Sequence, residues 1–205
     1  MDKLKVFWKQ SWLLISSALL FGLLLAVAKA GLQPLINANE AKSLNSKMTE
    51  LISDVNSFDI IAEGIEIASK KGKPLVTDVY QAKDKHGNIR GYAFVAIGSG
   101  FADKIKLVIA VDKEFKKMLG FKVLASNETP GFGDKVKGEF FQHQFINAPV
   151  SKLELVKVGN ADTVDAKIVA ISGATISSDA VISIFNTFVL SVKEQIHKKG
   201  LISNE

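Results

Sequence analysis

Ser172-Gly173-Ala174-Thr175-Ile176-Ser177-Ser178 joins a strand-like segment, 166–171, to a strongly helical one, 179–197. Gly173 and Ala174 leave the backbone uncovered, so a bulky group can approach it closely. Ser177, Ser178 and Asp179 are all good N-cap residues for the helix that follows, which sets the Thr175 hydroxyl just ahead of a helix N-terminus. Unpaired backbone N–H groups and the positive end of the helix dipole favour a phosphate there. The same residues also read as a plain capped turn, a common use of small hydroxylated side chains.

Downstream of this run, Val181, Phe185, Phe188, Val192 and Ile196 recur at spacings of three and four, widened by Ile182 and Val189. That stripe predicts an amphipathic helix ending at Lys198-Lys199-Gly200, with cations at its negative pole. Upstream, strands are predicted at 75–82, 89–97, 105–111, 119–125, 153–158 and 167–171. Gly87-Asn88 marks a hairpin between the first two. Segment 60–68 is open between a helical turn and a strand, and Lys70-Lys71-Gly72-Lys73-Pro74 breaks the chain after it. Antiparallel strands with helices at both ends give an α+β domain.

A second run of chemical interest is Glu128-Thr129-Pro130-Gly131-Phe132-Gly133-Asp134-Lys135. Thr129-Pro130-Gly131 is a turn, and Gly131 and Gly133 permit close backbone approach to a flat ligand; a glycine-rich connector fits the same residues. It is not a dinucleotide fingerprint, because its glycine spacing is wrong and no βαβ unit surrounds it.

The 205-residue chain holds one domain plus an anchor. Segment 11–28 carries no charge and is almost wholly apolar, long enough as a helix to cross a bilayer. A basic start (Lys3, Lys5, Lys9) with Trp8 at the interface places 1–10 in the cytoplasm, 11–30 as a transmembrane anchor, 31–72 as a helical linker region and 73–205 as the domain. A cleaved signal peptide with Ala-x-Ala sites at 26–28 or 28–30 is the competing reading. There is no cysteine, which excludes thiol catalysis, disulfides and cysteine-ligated clusters. His86, His143 and His197 stand apart without metal-ligand spacing, so no metal is expected. The net charge of +5 is spread over lysines interleaved with acids, which argues against a nucleic-acid partner. Redox work by such a chain needs a bound organic cofactor.

Glu-Thr-Pro-Gly-x-Gly at 128–133, followed some forty residues later by Ser-Gly-Ala-Thr at 172–175, resembles the pairing in the G subunit of Rnf-type ion-translocating electron-transport complexes. The related C subunit of sodium-translocating NADH:quinone oxidoreductase is similar. The strand Gly91-Tyr92-Ala93-Phe94 and the anchor extend the likeness over nearly the whole chain. Two positions depart from the family pattern: the acid that often precedes Ser-Gly-Ala-Thr is absent, the nearest being Asp165, and Phe132 stands where Leu is usual.

The resemblance implies a single-pass bacterial inner-membrane protein with a periplasmic FMN-binding domain. It implies FMN held covalently through its phosphate on Thr175, installed by a separate flavin transferase. Ser172, Gly173, Ala174, Ser177 and Ser178 are the expected residues around the phosphate; Glu128, Thr129, Pro130, Gly131 and Phe132 lie under the ring, with Phe101 also packing on it. The partners implied are other membrane subunits of an Rnf-type complex, with this chain acting as a redox relay and not as an enzyme with its own soluble substrate. Other readings are the equivalent subunit of a sodium-translocating NADH:quinone oxidoreductase, an exported, anchored binding or assembly module without cofactor, and a serine hydrolase using Ser172 or Ser177. For the hydrolase no recognisable triad order or Gly-x-Ser-x-Gly is present.

Overall fold

A computed structural model describes residues 2–68 and 74–201, with side chains from Gln10 onward. The expected break at Lys70-Lys71-Gly72-Lys73 and the side chains of Lys3, Lys5, Trp8 and Lys9 lie outside the described residues. The chain forms two compact units, one reaching Ser43 and one starting at Leu44.

Helix α1 (Asp2–Leu51) runs through the first unit and ends in the second. Trp12, Leu14, Leu19, Phe21, Leu25 and Leu35 on it are all more than half exposed. Its apolar stretch is long and apolar enough to cross a membrane.

The second unit is an antiparallel meander. Strands β1 (Ser57–Ile67), β2 (Leu75–Lys83), β3 (Ile89–Ser99), β4 (Lys104–Asp112) and β5 (Met118–Ser126) lie side by side in chain order. The β2–β3 connection is the hairpin the sequence predicts. Asp84 accepts hydrogen bonds from the backbone N–H groups of His86 (2.8 Å) and Asn88 (2.9 Å), while Gly87 sits at φ +81. Alternation along the strands supplies two apolar faces. Val79, Phe94, Ile105, Leu107, Ile109 and Val111 face one core, whereas Ala82, Ala93, Val108 and Ala110 face another with Met48 and Ile52. Small alanines on the second face leave room for the end of α1 to lie close.

The region 31–72 is thus divided differently from the sequence expectation: α1 continues to Leu51, and β1 is an edge strand of the sheet. β1 is hard to read from sequence because its pairing slips twice, between Ile60 and Ala62 and again before Ile65, with Gly64 at φ +63. Each slip moves side chains to the other face and breaks the period of two.

After β5 the chain makes a 3-10 turn (Gly133–Lys137), the short helix α2 (Glu139–Gln142) and a second 3-10 turn (His143–Phe145). These deliver Phe141 and Phe145 to the core, where their rings meet Phe121 edge-on. Strands β6 (Glu154–Val156) and β7 (Lys167–Val169) pair in parallel apart from the main sheet. Helix α3 (Thr175–Lys198) then crosses the first face, burying the predicted stripe Val181, Phe185, Phe188, Val192 and Ile196.

Candidate functional site

The two sequence runs meet at the start of α3. Helix α3 begins at Thr175, four residues earlier than the sequence predicts, and its cap residue is Ala174 (φ −135, ψ 35), which offers no side-chain hydrogen bond. The expected capping by Ser177, Ser178 and Asp179 is therefore corrected: all three belong to the first turns of the helix. Both serine hydroxyls point inward. Ser178 Oγ donates to the Ala174 carbonyl (3.0 Å) and accepts from the Ile171 N–H (3.1 Å), closing the strand-to-helix turn. Ser177 Oγ donates to Glu128 Oε2. The first N–H groups of α3 have no intrahelical acceptor and no side-chain cap, which leaves them for an anion.

Turn 128–133 is closed by the Thr129 carbonyl, which accepts from the Phe132 N–H (3.2 Å) and the Asp134 N–H (3.3 Å). Gly131 there has φ +77, which few other residues adopt. The turn sets Phe132 against Gly173: a Cβ on that glycine would sit 3.7 Å from the ring.

Together these segments enclose a groove of about 470 Å³, lined by Phe101, Thr129, Phe132, Gly133, Gly173, Ala174, Thr175, Ile176 and Ser177. Of the residues predicted from sequence, Thr129, Phe132, Gly173, Ala174, Thr175 and Ser177 line it, as does Phe101. Ser172, Pro130 and Gly131 shape the turns without lining the groove, Ser178 is fully buried, and Glu128 lies behind the wall, 5% exposed. Gly133, read from the sequence as permitting close approach, also lines it, and so does Ile176, which is not among the residues expected from sequence. Ile176 is 61% exposed, an apolar side chain left in water between two small polar ones, and that position in the quoted run is the available signal.

Glu128 has the most perturbed surroundings in the site. Burial raises its pKa, but the Ser177 hydroxyl and the backbone N–H groups of Ala102, Asp103 and Phe101 outweigh that and hold it below the ordinary carboxylate value. Among the described residues, no histidine, aspartate or glutamate lines the groove.

Residues 100–189, which contain both runs, match the family described as the FMN-binding domain. The G subunit of an ion-translocating oxidoreductase complex from Methanosarcina acetivorans is 33% identical over 172 residues, spanning 84% of this chain and 87% of that protein. The chain belongs to this G-subunit family. Another member, the G subunit of the proton-translocating ferredoxin:NAD(+) oxidoreductase complex of Clostridium ljungdahlii, is 29% identical and covers 78% of the chain and 77% of its own length. The solved structure of NqrC from Shewanella oneidensis shares the fold, with a TM-score of 0.57 at 22% identity over 68% of this chain and 72% of that one. Within the G-subunit family, the groove suits a flavin nucleotide. Its volume is in the range of small-molecule sites. Phe101 and Phe132 offer flat apolar walls, Gly173 allows close approach, and the uncapped start of α3 suits a phosphate.

Proposed function

We propose that this chain is the FMN-carrying electron-transfer subunit of a membrane-bound ion-translocating oxidoreductase complex of the Rnf type, with the flavin esterified through its phosphate to Thr175. The observation that carries the reading is the convergence of two distant turns on one groove, with an exposed threonine hydroxyl at an uncapped helix start. Bound FMN supplies the electron transfer; the protein supplies position and electrostatics. The first N–H groups of α3 hold the phosphate. Phe101, Phe132 and Ile176, apolar residues of the groove lining, would pack against the apolar part of the ring. Thr129 offers a hydroxyl at the groove edge.

A separate flavin transferase makes the attachment, a reading supported by a groove that has no histidine or carboxylate lining it among the described residues. The partners are the other membrane subunits of the complex, as the names of the relatives suggest. We place the apolar stretch 11–30 of α1 in the bacterial inner membrane and the domain from Leu44 onward on the periplasmic side. The test is flavin fluorescence of the denatured chain on a gel after co-expression with a flavin transferase. Wild type and Thr175→Ser are expected to fluoresce and Thr175→Ala to stay dark. A fluorescent Thr175→Ala band would overturn the assignment, and a dark wild-type band would return the chain to an anchored binding module. Protease accessibility in spheroplasts, against intact cells, checks the side of the membrane.

A further inference from the structure

Three separate segments supply the walls of the groove: the loop after β3 with Phe101, the turn with Thr129 and Phe132, and the start of α3 with Thr175 and Ser177. One side chain touches all three. Glu128 belongs to the turn; its Oε1 accepts from the Ala102 N–H at 3.0 Å, and its Oε2 accepts the Ser177 hydroxyl. Two glycines make room for it. A Cβ on Gly133 would lie 2.6 Å from Oε2 and 2.9 Å from the Glu128 Cβ, and one on Gly100 would fall 2.7 Å from the Asp103 carbonyl as well as against Oε1. Either contact is closer than packed atoms tolerate.

Resting on the flavin reading above, we propose that Glu128 is the positioning residue of the groove: its carboxylate fixes the loop, the turn and the helix start relative to one another and sets a negative charge one hydroxyl behind the groove wall. A buried carboxylate acts over a longer range than an exposed one, because little water screens it. A fixed negative charge beside a flavin disfavours the added electron and lowers its potential. The bonds to Ala102 and Ser177 are charge-assisted, the stronger class of hydrogen bond, so the tie holds before any cofactor arrives.

Two measurements on the full chain separate this proposal from the flavin reading. The first is hydrogen exchange at the Ala102 amide in the unflavinylated chain. Glu128→Gln is expected to speed it roughly tenfold or more, the loss of a charge-assisted bond; unchanged exchange would overturn the tie. The second is the flavin midpoint potential of the modified chain. Glu128→Gln raises it, and Glu128→Asp, which restores the charge, brings it back towards wild type. A potential unmoved by Glu128→Gln overturns the charge assignment. Should Glu128→Gln not fold, Ser177→Ala keeps the carboxylate and deletes one donor, and leaves the potential at or below wild type. A rise in that variant would trace the effect to packing and overturn the proposal. A wild-type chain that takes no flavin would sink the flavin reading alone, with the exchange measurement still deciding the tie.

Discussion

Gly133 is the residue at which space and chemistry meet most tightly. A methyl group there would press on Ser177 Oγ and on two atoms of Glu128. Gly133→Ala is expected to lower stability by about 1–3 kcal/mol, the usual cost of overpacking, and urea unfolding measures it. Glu128 itself gives a pH signature. Its folded pKa lies below its unfolded one, so it stabilises the fold fully above the unfolded value and loses that contribution as pH falls through the folded value. Wild-type stability is expected to drop on acidification through and below the ordinary glutamate range, and Glu128→Gln is expected to show a shallower drop in a urea-midpoint series. These roles are only partly legible in the sequence. Glu128 stands out through its motif, which points to the ring and not to the wall behind it. Its inward orientation depends on contacts with residues 26 and 49 positions away, which no local pattern encodes.

Among the elements, α3 is the plainest to read and its first turn the least. The stripe from Val181 to Ile196 declares a helix by its period, yet Ser177 and Ser178 imitate a cap. Their hydroxyls serve buried partners instead, so the true start at Thr175 is set by tertiary contacts. The body of the helix is anchored by Phe185, whose ring lies 4.6 Å from that of Phe145 and 5.3 Å from that of Phe121 between centroids. Phe185→Ala is expected to cost about 3–5 kcal/mol, read as a lower urea midpoint with an unchanged slope. The small parallel pair β6–β7 leans on amide side chains. Asn186 donates to the Leu153 carbonyl (2.9 Å) and accepts its N–H (2.7 Å), and Gln144 does the same for Val169 at 3.3 and 2.7 Å. Such side-chain substitutes for a strand partner leave no trace in hydropathy, although both strands lie inside the segments predicted from sequence, 153–158 and 167–171.

For the whole molecule, the useful boundary is at Leu44 and not near residue 73. Met48 and Ile52 cover one face of the sheet, and β1 pairs along β2. A chain beginning at Leu44 is expected to elute as a soluble, cooperatively unfolding domain. One beginning at Pro74 loses both covers, presents the unpaired edge of β2 and is expected to aggregate, which size-exclusion chromatography distinguishes. Composition shows the apolar first unit and the α+β class directly. The end of α1 is legible as an amphipathic helix, since Leu44, Met48, Leu51 and Ile52 recur at helical spacing, but that spacing does not say that the stripe packs on the alanines of the sheet.

The meander has a consequence in time. Each strand of the sheet pairs with the one before it in the chain, so the sheet closes through short loops, the kind of contact that forms early in folding. The groove instead joins residues near 101, 129–133 and 173–177 and exists only once α3 has docked. A transferase that recognises the assembled groove would therefore act as an inspector of finished molecules. A chain stalled with its sheet complete and α3 adrift would pass through the membrane system colourless, marked as unready by the absence of its flavin.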